Sequence, residues 1–265
     1  MATTEIDPTL GALEVQRLRR ENAELKEREQ QMSQELAAAY HHLESFTYSI
    51  SHDLRAPLRV IDSFAQILED DFGERVDPEE RRVIGIIRNG SRKMDQLIVG
   101  LLEFSRAGRQ PLDLDRIDMT AAAEAAAIEA QALYSGPSPL IEIAELPPIS
   151  GDATAIRQVW RNLIGNALKY SAKRSQPRIR ISGRREDSQA VYQVDDNGAG
   201  FDIRYADKLF GVCQRLHRTE EFPGIGIGLA IVQCIVARHG GRIWATGAPD
   251  GGACFQFALP LVPVS

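Results

Sequence analysis

The sequence runs to 265 residues, with 43% hydrophobic and 26% charged positions, a balance that fits one or two globular domains and excludes wholesale disorder. A formal net charge of -6 and an isoelectric point near 5.5 exclude a general nucleic-acid binder, because phosphate contacts need a basic surface. Cys213, Cys234 and Cys254 are odd in number, far apart and in no metal-ligand spacing, so they give neither a disulfide framework nor a zinc site and fit small core residues in a reducing cytoplasm. The opening Met1-Ala2-Thr3-Thr4-Glu5 lacks a basic stretch followed by an apolar one. No run approaches the roughly 18 apolar residues of a membrane span, so a cytoplasmic chain without direct membrane insertion is expected.

The first element is a long helix. From Val15 the seam steps by threes and fours through Leu18, Asn22, Leu25, Glu29, Met32, Leu36, Ala39, Leu43, Phe46 and Ile50, a heptad pattern that predicts a coiled coil. One amphipathic helix on a globular core has the same period. Asn22 favours the coil, since a lone Asn at an a position fixes register and a two-stranded state. In a parallel dimer Glu14 would face Arg19, and Glu21 would face Lys26, of the partner chain. After Ile50 the steps to Leu54 and Leu58 are both four, a stutter that unwinds a coiled coil locally, and it falls beside His52. Pro57 removes a backbone donor in the same region and predicts a kink.

A break is expected at Asp71-Phe72-Gly73, followed by a second helix announced by Asp77, Pro78 and Glu80 and ending near Gly108. Two antiparallel helices per chain, dimerised, make a four-helix bundle. Pro111-Leu112-Asp113-Leu114-Asp115 reads as a linker. Beyond it, helical patterns near 119–132, 152–171 and 226–239 mix with strand-like stretches at 179–181, 191–194, 243–245 and 255–257, which predicts an α/β sandwich.

Four segments carry chemistry. In Ser51-His52-Asp53-Leu54-Arg55-Ala56-Pro57-Leu58, His52 lies two residues past an a position and is expected to face solvent. A neutral imidazole there can attack phosphorus, with Asp53 holding the ring and accepting its proton. In 158–170, Asn162, Asn166, Lys169 and Tyr170 share one helical face, a spacing suited to Mg²⁺ and phosphates or, more plainly, to a polar helix surface. Val194-Asp195-Asp196-Asn197-Gly198-Ala199-Gly200 ends a strand in carboxylates and glycines, and Gly224-Ile225-Gly226-Ile227-Gly228-Leu229 opens an apolar helix with free N–H groups for phosphate. Each of the two glycine segments, alone, is indistinguishable from a turn.

Taken together and in this order, the segments resemble the H, N and two glycine boxes of histidine kinases, and Lys208-Leu209-Phe210 with Gln214-Arg215-Leu216-His217 resembles the family's F box. The resemblance covers roughly 43–260, and its H box is most similar to that of phytochrome-like kinases. It implies a tail (1–11), a parallel coiled-coil signalling helix (12–42), a dimerisation and phosphotransfer bundle (43–110) and a GHKL-type ATP-binding domain (111–265). It also implies ATP-dependent phosphorylation of His52 with Asp53 as base, then transfer to the receiver domain of a response regulator. Asn166 would hold Mg²⁺ and Asn162 would be its polar partner. Lys169 and Tyr170 would approach the nucleotide, and Asp196 would read adenine. Gly198, Gly200, Gly224, Gly226, Gly228 and Leu229 would shape the pocket, with Phe210, Arg215 and His217 in or beside its lid.

Three positions depart from the family pattern: Ala56 where Thr or Asn often serves dephosphorylation, Ile225 where Thr is frequent, and Cys213 in place of an F-box aromatic. Two other readings are weighed against the kinase. Hydrolysing ATPases of the topoisomerase and MutL sort resemble one another in a glutamate one turn before the metal-binding Asn, where this chain has Asn162. A nucleotide-binding pseudokinase would not need His52, Asn166 and Asp196 intact. Input would come from an upstream sensor domain or a partner protein.

Overall fold

The computed structural model describes residues 8–72, 77–109, 111–217, 221–222 and 224–261, and the side chains of 8–15, 33–48, 50, 52 and 71–72 lie outside that description. The chain forms two compact units, Met1–Ile50 and Ser51–Ser265. Helix α1 is Pro8–Phe72, and Pro57 lies inside it without ending it. In the first unit, residues 16–32 are all exposed, and Leu18, Leu25 and Met32 of the heptad seam leave 53–65% of their surface open. A helix that exposes its apolar seam has not buried it within one chain.

In the second unit α1 turns back as α2 (Pro78–Ala107). The start of α2 is set by Asp77, whose carboxylate accepts from the Glu80 amide while the Glu80 carboxylate accepts from the Asp77 amide, with Pro78 in the first turn. The two helices are tied antiparallel by Ser91 Oγ donating to the Leu58 carbonyl at 2.7 Å and by the Arg55–Asp95, Arg88–Asp62 and Arg88–Glu69 ion pairs. Leu58, Ala65, Ile84 and Ile98 are buried between them.

The rest is a two-layer α/β domain. Strand β1 (Asp115–Ile117) precedes α3 (Met119–Ala132), and β2 (Leu140–Ile143) and β3 (Ile149–Gly151) lead into α4 (Ala153–Ser171). Then come β4 (Arg178–Glu186), β5 (Gln189–Asp196), the 3-10 turn Ile203–Lys208, α5 (Gly228–Arg238), β6 (Arg242–Ala248) and β7 (Gly252–Pro260). The main sheet has the order β2-β4-β5-β7-β6; β2 and β4 are parallel and the other pairs antiparallel, while β1 and β3 form a separate antiparallel ribbon. The strand-like stretches read from sequence lie within β4 to β7. Strands β1 to β3 escape that reading, because each has three or four residues and too little alternation to register.

Helix α4 is the keystone. Asp152 caps it by accepting from the Ala155 amide, and Ile156, Val159, Trp160, Leu163, Ile164, Ala167 and Leu168 form one buried face against the sheet. Trp160 meets Tyr192 and Phe257 edge-on, at 5.8 and 5.2 Å between ring centroids, and the Tyr192 hydroxyl donates to the Pro147 carbonyl at 2.5 Å. This packing leaves the opposite polar face of α4 looking into a cleft.

Candidate functional site

The cleft holds about 220 Å³ and lies between α4, the end of β5, the segment after the 3-10 turn and the glycine segment that opens α5. Asn162, Asn166, Lys169, Tyr170, Asp196, Gly200, Arg215, His217, Gly224, Gly226, Gly228 and Leu229 all line it. Two expected residues do not. Gly198 sits behind the wall, where an added Cβ would press on the Tyr170 carbonyl at 2.7 Å, and Phe210 packs against the hydrophobic core.

Backbone conformation explains two of the glycines. Gly200 has φ +61, and a Cβ there would strike the carbonyls of Ala248 and Gly252; Gly226 has φ +75 and lies under the Gln214 carbonyl. Gly228 is selected by space, since a Cβ would come 2.7 Å from Asn162 Oδ1. Its helix is also unlike its neighbours: α2, α3 and α4 are each capped by an Asp carboxylate, whereas α5 has Ile227 at its N-cap and no side-chain cap. The first-turn amides of α5 therefore keep their donors and positive dipole end for a ligand.

Charges in the cleft are strongly perturbed. Burial, seconded by the Arg215 guanidinium, lowers the Lys169 ammonium to about 8, and Lys169 donates to Asn166 Oδ1 at 3.1 Å. Burial pushes the Asp196 carboxyl up to about 6, against the opposing pull of the Gly198 and Ala253 amides that donate to it. At the rim, Arg215 donates to the carbonyls of Gly224 and Phe222 at 2.5 and 2.6 Å. His217 Nε2 lies 2.8 Å from the Gly200 carbonyl, and Tyr170, His217 and Phe222 form a ring cluster with centroids 5.0–5.3 Å apart. The cleft thus brings a lysine, two asparagine side chains and the start of a helix without a side-chain cap together with a buried carboxylate in one lining that also holds apolar groups.

A family profile described as histidine kinase-, DNA gyrase B-, and HSP90-like ATPase matches residues 151–263, and one described as His Kinase A (phospho-acceptor) domain matches 42–110. The chain belongs to the sensor histidine kinases. It is 31% identical over 231 residues to the Phytochrome-like protein Cph1 of Synechocystis sp., covering 87% of this chain and 31% of that one. With the Adaptive-response sensory kinase SasA of Thermosynechococcus vestitus it shares 28% over 265 residues, covering 94% and 67%. Its fold is similar to that of ShkA full-length in complex with AMPPNP, with a TM-score of 0.58 at 24% identity over 83% of this chain and 46% of that one. The kinase chain spans about a quarter to a third of the length of the first curated relatives it matches.

In this chain His52 lies on α1, and its side chain, with the solvent exposure expected of it, lies outside the described residues. Asp53 beside it is exposed, and so is Ala56. Among the described residues no helix is long and apolar enough to cross a membrane, and no cluster of three or more His, Cys, Asp or Glu could hold a metal. All three cysteines are free; Cys234 and Cys254 are half-buried, but Cys213 is exposed at φ +60 and is not a core residue.

Sequence reading missed Arg174, Ala253 and Phe255. Arg174 donates to the carbonyls of Asn197, Gly198 and Asp250, tying together the backbone behind Asp196. Ala253 and Phe255 reach the cleft only because β7 pairs with β5, with Ala253 opposite Asp196. Nothing in the local sequence marks that pairing.

Proposed function

We propose that the α/β domain binds Mg²⁺–ATP in this cleft, and that the chain, as a parallel homodimer, transfers the γ-phosphoryl group to His52 and then to an aspartate of a response-regulator receiver domain. The observation that carries the nucleotide reading is the make-up of the cleft, which gathers Asp196, Lys169, Asn166 and the start of α5, without a side-chain cap, in one lining. Asp196 would accept the adenine amino proton, and the α5 amides with Lys169 would hold phosphate oxygens. Asn166 fits Mg²⁺, a cation bound by few protein oxygens when it arrives with phosphates, and its charge would offset that of the phosphates.

At His52 a new N–P bond would form as the bond from the γ-phosphorus to the bridging oxygen breaks and ADP leaves. Asp53 would orient the imidazole and take its proton. Catalysis is then mostly positioning. Hydrolysis is disfavoured because Asn162 stands where a water-activating carboxylate would be needed, and its amide donates to the Gln158 carbonyl at 2.9 Å. The dimer reading rests on apolar side chains left open on the hairpin, among them Ile61, Phe64, Val83 and Ile87, which a second copy in a four-helix bundle would cover, and on the exposed heptad seam of the first unit.

The test is incubation with γ-labelled ATP and Mg²⁺. Acid-labile, alkali-stable label is expected on the full chain and none on His52→Ala; equal labelling of the variant would remove His52 from the role.

A further inference from the structure

Ile225 is the residue of the second glycine segment that departs from the family pattern, and it has two neighbours at once. It lines the cleft, and its Cδ1 lies where a Cβ on Gly100 of α2 would be only 2.5 Å away; Ile227 Cδ1 closes the same spot at 3.0 Å. Gly100 is buried, in the interior of a helix, where glycine is disfavoured relative to alanine. No backbone requirement explains it, since it carries no left-handed φ. Space does: the missing side chain makes a socket for the two isoleucines. Around it Phe104 packs on the α/β core, and Arg238 of α5 donates to the Ala107 carbonyl at 2.8 Å.

We infer that Gly100 is a docking socket for Ile225, and that nucleotide entry lifts Ile225 out of it, releasing the ATP-binding domain from α2. The inference rests on the nucleotide reading of the cleft. Its physical ground is room: about 220 Å³ is less than the roughly 300–1,000 Å³ of ordinary ligand pockets, so a nucleotide requires the 224–228 segment to move. Ile225 lies between Gly224 at φ +139 and Gly226 at φ +75, a backbone free to swing. Because the segment serves both sites, nucleotide and docking compete, and linkage makes the competition reciprocal.

The end of α2 supplies a reporter. A Cβ on Gly108 would sit 3.5 Å from Cys234 Sγ, so Gly108→Cys should form a disulfide with Cys234 when the domain is docked, as peptide mapping would identify. In the full chain without nucleotide we expect a high yield of this cross-link, falling several-fold when ADP is added at saturation. Gly100→Leu, which fills the socket on a helix that tolerates leucine well, should lower the yield without nucleotide and tighten ADP binding by a similar factor. Unchanged cross-linking in Gly100→Leu would overturn the socket. If ADP binds, as calorimetry would register, but leaves the yield unchanged, the coupling is overturned while the socket stands. If ADP does not bind at all, the nucleotide reading fails, and the Gly100→Leu comparison still decides the docking contact.

Discussion

The helical hairpin and the α/β domain bury their apolar residues in opposite ways. In the α/β domain Trp160, Tyr192, Phe257, Leu163 and Ile231 are inaccessible to solvent or nearly so, and the core closes within one chain. On the hairpin, Phe64 leaves 64% of its surface open and Ile86 56%, although its pattern of apolar spacing is as regular. A sheet face plus two helix faces can enclose a core, whereas two helices can share only one seam. The difference separates a domain that is complete alone from one that awaits another surface.

The contrast can be broken most forcefully at the cores. Trp160→Ala should cost about 3–5 kcal/mol, with a midpoint independent of protein concentration, because it opens a cavity in a self-contained core. Phe64→Asp should instead weaken self-association by roughly a hundredfold or more, the loss of about 1.5–3 kcal/mol of apolar burial being compounded by carboxylate desolvation. Both tryptophans, Trp160 and Trp244, lie in the α/β domain, so the fluorescence-detected unfolding of Phe64→Asp should stay unchanged while light scattering reports the monomer. A concentration-independent effect of Phe64→Asp would erase the distinction.

A sharper probe lies inside the α/β domain, at a group whose proposed function opposes stability. Asp196→Asn should weaken adenine-nucleotide binding about ten- to hundredfold, by loss of a charged acceptor. The same change should raise the unfolding temperature at pH 7.5, since burial penalises the carboxylate. The Asp196 carboxyl rises from an ordinary 3.8 to about 6 in the folded state, which therefore binds the extra proton between those values. Stability of the parent chain should fall as pH rises through that window, and its deficit relative to the variant should vanish below it. A pH-independent difference would show that Asp196 is better solvated than its packing implies.

The smallest effect concerns Lys169. With its ammonium lowered to about 8, nucleotide affinity should drop up to about tenfold between pH 7 and 9 as the charge is lost. Binding at pH 8 should then take up protons, seen as a calorimetric enthalpy that varies with buffer, and Lys169→Met should abolish the uptake. Buffer-independent enthalpy in the parent would place the phosphates away from Lys169.

Local chemistry made the order of elements legible: Asp77 with Glu80 announces α2, the helical pattern near 152–171 announces α4, and the three- and four-residue spacing of Asn162, Asn166, Lys169 and Tyr170 puts them on one face. Helix period and capping are near-neighbour effects, so a chain read residue by residue contains them. The closure of the cleft was decided only by tertiary structure. Ala253 meets Asp196 through strand pairing, Arg174 ties three carbonyls together across 76 positions of sequence, and Gly100 reads as a helix defect until Ile225 is found beside it. Each depends on contacts between distant segments, whose partners no local pattern names, because register and packing are settled by the whole core rather than by any one stretch.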